Sequence, residues 1–141
     1  MTTRASTEQH GPRPRSKASA RPRASERGRL RARGRLWIDL DQAPLFGPGR
    51  AALLEEVVET GSISAAARVL GMSYRKAWTL VDSINRAAGR ALVERSTGGR
   101  GGGGARLTPQ GERALKLYRQ LEGDVERLCR RAEQRFSALL P

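Results

Sequence analysis

Cysteine and histidine are almost absent from this sequence, which holds one of each, Cys129 and His10. A single cysteine excludes an intramolecular disulfide, and a zinc site needs about four sulfur or nitrogen ligands, more than one chain provides here. Neither residue belongs to a recognisable nucleophile–base pattern, and no pair of carboxylates stands out as a catalytic couple. We therefore expect no metal, no cofactor and no enzyme activity.

Long apolar runs are missing as well. No stretch of about 18 apolar residues occurs, so no segment is long enough to cross a bilayer as a helix. The basic N-terminus is not followed by an apolar stretch, so it lacks the pattern of a secretory signal. These absences predict a soluble, cytoplasmic protein without a membrane partner.

Acidic residues are scarce relative to basic ones: 14 Asp and Glu stand against 27 Lys and Arg, for a formal net charge of +13. A surface with this excess attracts polyanions. Nucleic acid is the commonest such partner, and an anionic membrane surface is its main rival. The charge therefore predicts a nucleic-acid partner and a location on the nucleoid.

The first 33 residues concentrate this charge, with ten basic and two acidic side chains and a single leucine. Such a segment cannot bury enough apolar surface to offset the entropy of ordering it. We predict a disordered, arginine-rich tail over residues 1–33. Two roles fit its composition, a solubilising tail and an arm that binds phosphates without sequence preference.

A folded domain is predicted over residues 34–141. Alternating apolar residues predict a strand over residues 36–40, and proline and glycine then predict a loop from Asp41 to Pro48. Apolar residues at helical spacing predict three helices, each followed by a glycine. These helices cover residues 49–60, about 64–70 with Ser62 or Ser64 as cap, and about 73–88 with Ser73 as cap.

A hairpin and a long helix follow. A strand from Ala91, a glycine-rich loop over residues 96–104 and a strand over residues 105–107 predict the hairpin. Thr108 is the predicted cap of a helix that runs to about residue 136. Three helices, a hairpin and a further helix predict a mainly α fold with a small β-hairpin, namely a winged helix-turn-helix with a long C-terminal dimerisation helix.

The second helix of a helix-turn-helix enters the major groove, and its first residues reach base edges. The side chains there can donate to guanine or contact phosphates, although a solvated helix face is the alternative reading of Arg75 and Lys76. Trp78 falls on the apolar stripe of this helix and is predicted to be core; the stripe also contains Ala77, Val81, Ile84 and Ala88. The predicted DNA contacts are Ser62, Ser64, Ser73, Tyr74, Arg75, Lys76, Thr79, Arg100 and Arg106.

The glycines of residues 98–104 satisfy the spacing G-x-G-x-x-G, as any glycine run does. A dinucleotide site needs a helix directly after the glycines and an acid about 20 residues later. A short strand and Thr108 follow instead, so a flexible wing carrying Arg100 is the better interpretation. A merely mobile loop is the alternative.

The last helix carries apolar residues at steps of three and four, over about two and a half heptads. We predict that this seam forms a dimer contact through Tyr118, Leu121, Val125, Leu128 and Ala132. Packing on its own domain is the alternative, and we expect it for the first part of the seam, Leu115 and Tyr118. A dimer would place two recognition helices about one DNA turn apart.

Several motifs together resemble the N-terminal DNA-binding domain of the ModE family of molybdate-responsive regulators, and more distantly the LysR-type winged helix. They are Leu53-Leu54-Glu55, Thr60-Gly61-Ser62-Ile63-Ser64, Ala66-Ala67, Gly71-Met72-Ser73-Tyr74-Arg75-Lys76-Ala77-Trp78, Gly98-Gly99, Gly101-Gly102-Gly103, Ala105, Leu107-Thr108 and Gly111. The resemblance covers about residues 34–136. It implies DNA reading by Ser73, Tyr74, Arg75 and Lys76, a wing contact by Arg100, and dimerisation through flanking helices.

In that family, C-terminal β-barrel domains hold molybdate. This sequence ends at Pro141 without them, so we expect no molybdate binding in this chain, whereas control of molybdenum-related genes fits the resemblance. The expected function is a sequence-specific, dimeric transcriptional regulator. The alternatives are a non-specific architectural nucleic-acid binder driven by the tail and, less favoured by the charge, a protein-interaction module.

Overall fold

A computed structural model describes residues 28–96 and 103–140 of the chain. The elements in chain order are β1 (Ile38–Leu40), β2 (Ala43–Phe46), α1 (Pro48–Thr60), α2 (Ile63–Val69), α3 (Tyr74–Ala88), β3 (Val93–Ser96), β4 (Gly104–Leu107) and α4 (Pro109–Leu139). The predicted winged helix-turn-helix fold is confirmed. Arg100 and most of the predicted tail lie outside the described residues.

The helix boundaries follow local chemistry that the sequence displays. Gly61 and Gly89 end α1 and α3 in the left-handed conformation, with φ of 68° and 64°, which costs glycine little. Ser62, rather than the alternative Ser64, caps α2 by accepting from Ala65 N at 3.2 Å. Thr108 caps α4 by accepting from Gly111 N at 3.1 Å. These predicted helix ends are therefore confirmed to within a residue or two.

The predicted loop from Asp41 to Pro48 is wrong, because Ala43–Phe46 forms a strand that pairs antiparallel with β1. Asp41 and Gln42 make the connecting turn with φ of 48° and 67°. Two central residues with positive φ are the geometry of a tight hairpin turn, normally filled by Asn and Gly. Pro44 caused this error, because proline was taken as a sign of a loop. In a two-stranded sheet, proline is tolerated at positions where no backbone N–H has to donate to the partner strand.

Replacing Gln42 by glycine should stabilise the domain. A side chain in the left-handed region costs of the order of 1 kcal/mol, and glycine removes most of that cost at a small entropic penalty. We expect a gain of about 0.5 kcal/mol and a rise in Tm of a few degrees, measured by thermal unfolding followed by circular dichroism. Gln42→Ala is the matched control, and an equal gain from alanine would contradict this account.

The hydrophobic core surrounds α1, whose Leu53, Leu54 and Val57 have no exposed surface. The helix packs on α2, α3, α4, β2 and β4. Arg119 of α4 donates two hydrogen bonds to the Glu55 carboxylate of α1 and a third to Glu122. The bonds to Glu55 are the main cause that raises the pKa of Arg119. This partly exposed ion pair links α4 to α1.

Tyr118 is a core residue, only 1% exposed, as expected for the first part of the seam, and this burial leaves it unavailable to the dimer contact that was also predicted for it. Its ring stacks on Phe46 with centroids 5.3 Å apart, and its hydroxyl donates to Leu36 O at 2.9 Å. Burial, with Glu122 nearby, raises the pKa of Tyr118 to about 12. The hydroxyl is therefore a neutral donor over the physiological pH range.

The segment before β1 lies along α4. Ala32 N donates to Glu133 Oε1 at 2.9 Å, and a Cβ on Gly34 would lie 2.7 Å from Val125. The predicted tail over residues 1–33 did not include this contact, and its boundary at residue 33 remains a prediction. The segment covers the side of α4 that carries Val125.

Among the described residues, no helix is long and apolar enough to cross a membrane.

Candidate nucleic-acid interface

The α2–turn–α3 unit is held together by small side chains and a tight turn. Ala66 and Ala77, both fully buried, lie on α2 and α3, which pack on each other. Gly71 adopts φ of 64°, and Met72 N donates to Ala67 O at 3.0 Å. Larger residues at the contact would push the helices apart. The unit therefore presents α3 in one fixed orientation.

One side of α3 packs on the core and the opposite side faces solvent. The buried side carries Ala77, Val81 and Ile84. Exposed residues at steps of four, three and four share the other side: Arg75, Thr79, Asp82 and Arg86. Tyr74 and Lys76 are also exposed but lie on the two flanks of this solvent face, since successive helical residues are about 100° apart. The solvent face of α3 thus has a central row of side chains, from Arg75 to Arg86, and two edges, one at Tyr74 and the other at Lys76.

The polar side chains at the start of α3 are partly committed to the helix itself. Ser73 Oγ accepts from Lys76 N at 3.1 Å, and Thr79 Oγ1 donates to Arg75 O at 2.9 Å. The Ser73 hydroxyl keeps its own donor, and the Thr79 oxygen keeps an acceptor. These contacts hold the side chains in defined positions without using up their hydrogen-bonding capacity.

The β3–β4 hairpin, the wing, is joined to the start of α2. Ala105 N donates to Gly61 O at 2.8 Å, one residue before the cap Ser62. This bond places the half-buried Ser62 and the exposed Ser64 beside the wing. Arg106 lies on the wing but donates to Glu94 Oε1 at 2.9 Å on an exposed surface. Such an exposed pair contributes little to stability, so Arg106 can exchange partners.

Arg95, which the sequence analysis missed, joins the wing to α3. Its guanidinium carbon lies 4.3 Å from the centroid of the Trp78 ring, a cation–π contact. Tyr74 approaches the same ring edge-on, with centroids 6.1 Å apart. Trp78 packs partly against the core, in agreement with its predicted place. Residues two apart on a strand share a face, so Arg95 lies on the same face of β3 as the buried Val93. This spacing was the sequence signal that could have identified Arg95 as a contact of α3.

The base of the wing is fixed by side-chain bonds to the backbone. Asn85 of α3 accepts from Leu92 N at 2.8 Å and donates to Val93 O at 2.9 Å. Thr108 Oγ1 donates to Ala91 O at 2.9 Å while it caps α4. Hydrogen bonds therefore tie the base of the wing to both α3 and α4.

This arrangement defines a winged helix-turn-helix domain. Residues 50–112 match the family model described as bacterial regulatory helix-turn-helix protein, lysR family. The chain is 47% identical over 83 residues to the transcriptional regulator ModE of Yersinia pestis, covering 59% of this chain and 32% of that protein. It is 38% identical over 103 residues to the molybdenum transport protein ModE of Azotobacter vinelandii, covering 73% and 38% respectively.

These similarities confirm the resemblance to ModE and to the LysR-type helix-turn-helix over the matched residues. The chain spans about a third of the length of the curated relatives it matches. Among solved structures, the full-length LysR-type regulator LysG from Corynebacterium glutamicum superposes with a TM-score of 0.51. It is 22% identical and covers 68% of this chain and 31% of that chain, a similarity of fold alone.

Proposed function

We propose that the chain is a sequence-specific DNA-binding transcriptional regulator of the ModE-like type that binds double-stranded DNA as a homodimer, with α3 in the major groove. The observation that carries this proposal is the solvent face of α3, where Arg75 and Thr79 project from a rigidly held helix with no competing ion pair among the described residues. Winged helix-turn-helix domains use that face to read base edges. The net charge of +13 favours a polyanionic partner.

The contacts divide by position. Arg75 and Thr79, in the central row, read base edges, while Tyr74 and Lys76 at the edges contact the phosphates on either side. Ser73, the residue that caps the start of α3, contributes a further phosphate contact. Phosphate contacts from the wing and from the start of α2 come from Ser62, Ser64, Arg100 and Arg106, with Arg95 added on structural grounds.

The dimer contact is assigned to the solvent side of α4. Leu117 and Leu128 are 55% and 57% exposed, and Leu139 is 76% exposed. These leucines follow at steps of eleven residues, about three turns each, so they share one stripe with the half-buried Leu121. Val125 and Ala132 lie toward the side where residues 30–34 pack. Three exposed leucines on one side of a helix of 31 residues, which also carries the exposed Asp124 and Arg135, fit a second copy of that helix.

Leu128→Glu should therefore shift the chain from dimer to monomer. A carboxylate at the centre of an apolar helix pair loses its hydration without gaining a partner, so we expect the dimer dissociation constant to rise at least about a hundredfold. Sedimentation velocity over a concentration series measures it. Gln120→Glu makes the same charge on another side of α4 and should leave the dimer intact; if both variants stay dimeric, the contact lies elsewhere.

Within this proposal the target genes are molybdenum-related, by similarity to ModE. It needs no cofactor and has no catalytic role, and it acts in the cytoplasm on the nucleoid. The charge and the fold support this assignment. A non-specific architectural role, driven by the basic tail, is the alternative.

Selection of genomic fragments by the purified protein at about physiological salt tests the proposal. The full chain should enrich a palindromic motif, and the chain without residues 1–27 should enrich the same motif, because the contact of Ala32 with Glu133 is kept. Specific affinity should exceed non-specific affinity by roughly a thousandfold or more. Uniform enrichment that disappears with residues 1–27 would replace the regulator by the architectural role.

A further inference from the structure

A groove of about 430 Å³ lies between the β1–β2 hairpin, the start of α1 and one flank of α3. Its walls are mostly apolar and include Trp37, Pro44, Phe46, Pro48, Met72 and Leu80. Trp37 is 60% exposed, and its ring lies against Gly47, where a Cβ would be 2.7 Å from the ring. The groove is therefore walled by an accessible indole on one side and by α3 on the other.

Two cations line this apolar groove, Arg50 from α1 and Lys76 from α3. Arg50 Nη1 is buried and has no hydrogen-bond partner within the described part of the chain. Burial lowers the pKa of Arg50, and the charge of Asp39 opposes that effect. A buried donor without an acceptor is costly, and a turn of the Arg50 side chain toward the groove would let an anion accept from Nη1 and recover that cost.

We propose that this groove binds a small organic anion, a carboxylate carried on a flat or apolar body. The carboxylate accepts from Arg50 and lies near Lys76, and the body packs on Trp37 and Leu80. An apolar cleft with a few convergent polar groups is the usual form of a small-ligand site. A guanidinium is the side chain whose geometry matches a carboxylate best.

Such a ligand would act on the DNA-reading helix through Lys76, which lines the groove and lies on one edge of the solvent face of α3. A bound carboxylate neutralises this charge and removes one phosphate contact. The expected weakening of DNA binding rests on the proposed function, whereas the binding of the anion is independent of that function.

Titration of the ¹⁵N-labelled full chain with benzoate and with 2-naphthoate, without DNA, tests the binding. The Trp37 indole N–H and the amides of Gly47 and Gly49 should shift. Arg50→Gln should weaken binding about tenfold, as should replacing each carboxylate by its neutral amide, because both remove a charge-assisted hydrogen bond. Asp39→Asn should tighten binding about twofold to threefold. If neither carboxylate shifts these signals, or if Arg50→Gln leaves affinity unchanged, the proposal is wrong.

Lys76→Gln serves as the second variant if Arg50→Gln unfolds, since Lys76 is exposed, and it should weaken carboxylate binding about threefold. Adding DNA separates the two proposals. Carboxylate binding without any sequence-specific DNA binding would overturn the proposed function, and the proposal of an anion site would stand. The reverse result, no carboxylate binding but uniformly weaker DNA binding in Arg50→Gln, would make Arg50 a phosphate contact and overturn the site.

Discussion

Gly111→Ala should cost about 3 kcal/mol of folding free energy and lower Tm by about 10 to 20 °C. Gly111 is buried in the first turn of α4, and a Cβ there would lie 2.1 Å from Leu92 O and 3.3 Å from Leu107 Cβ. The first contact is rigid, because Leu92 O already accepts from Thr108 N at 2.9 Å. Relieving the overlap would separate α4 from the base of the wing and break that bond.

Gly123→Ala is the matched control, made on the same helix with the same added methyl group. The Cβ at Gly123 would meet only the far end of the Arg127 side chain at 3.3 Å, and that side chain can move. Alanine is favoured over glycine inside a helix by about 1 kcal/mol, so this variant should be as stable as the parent or more so. Urea unfolding of both variants measures the contrast, and equal stability of the two would contradict the close approach at Gly111.

The features predicted from sequence are those set by neighbouring residues. The serine and threonine caps and the glycines at the ends of α1 and α3 act through hydrogen bonds and dihedral angles within a few residues. The apolar period on α3 likewise marks its buried face, which is why the solvent face with Arg75 and Thr79 was predicted in the right place.

The features that were missed depend on residues far apart in the chain. Spacing alone puts Tyr118 and Leu128 in one seam, but Phe46 and Leu36, more than 70 residues earlier, cover Tyr118 and leave Leu128 exposed. The contact of Arg95 with Trp78 likewise requires the wing to fold against α3. A helical period therefore predicts which residues share a face, and tertiary packing decides which part of that face is free.

Arg75→Ala and Lys76→Ala should weaken DNA binding in different ways, although the residues are adjacent and carry the same charge. Arg75 lies in the central row of α3, so its loss should cost about 1 to 3 kcal/mol at the selected site, roughly a fivefold to 150-fold change. Non-specific affinity should change much less. Lys76 lies on the edge, so its loss should weaken specific and non-specific binding alike and reduce the salt dependence by about one phosphate contact.

Fluorescence anisotropy on the selected site and on a scrambled duplex, over a salt series, separates the two effects. Arg130→Ala is the charge-matched control: it lies on α4, and its ion pair with Glu126 spans 3.8 Å on an exposed surface. It should change neither affinity beyond the loss of one distant charge. If Arg75→Ala instead lowers both affinities equally, as Lys76→Ala is expected to, then the central row of α3 does not read bases. The sequence preference would then have to come from the wing or from the shape of the DNA.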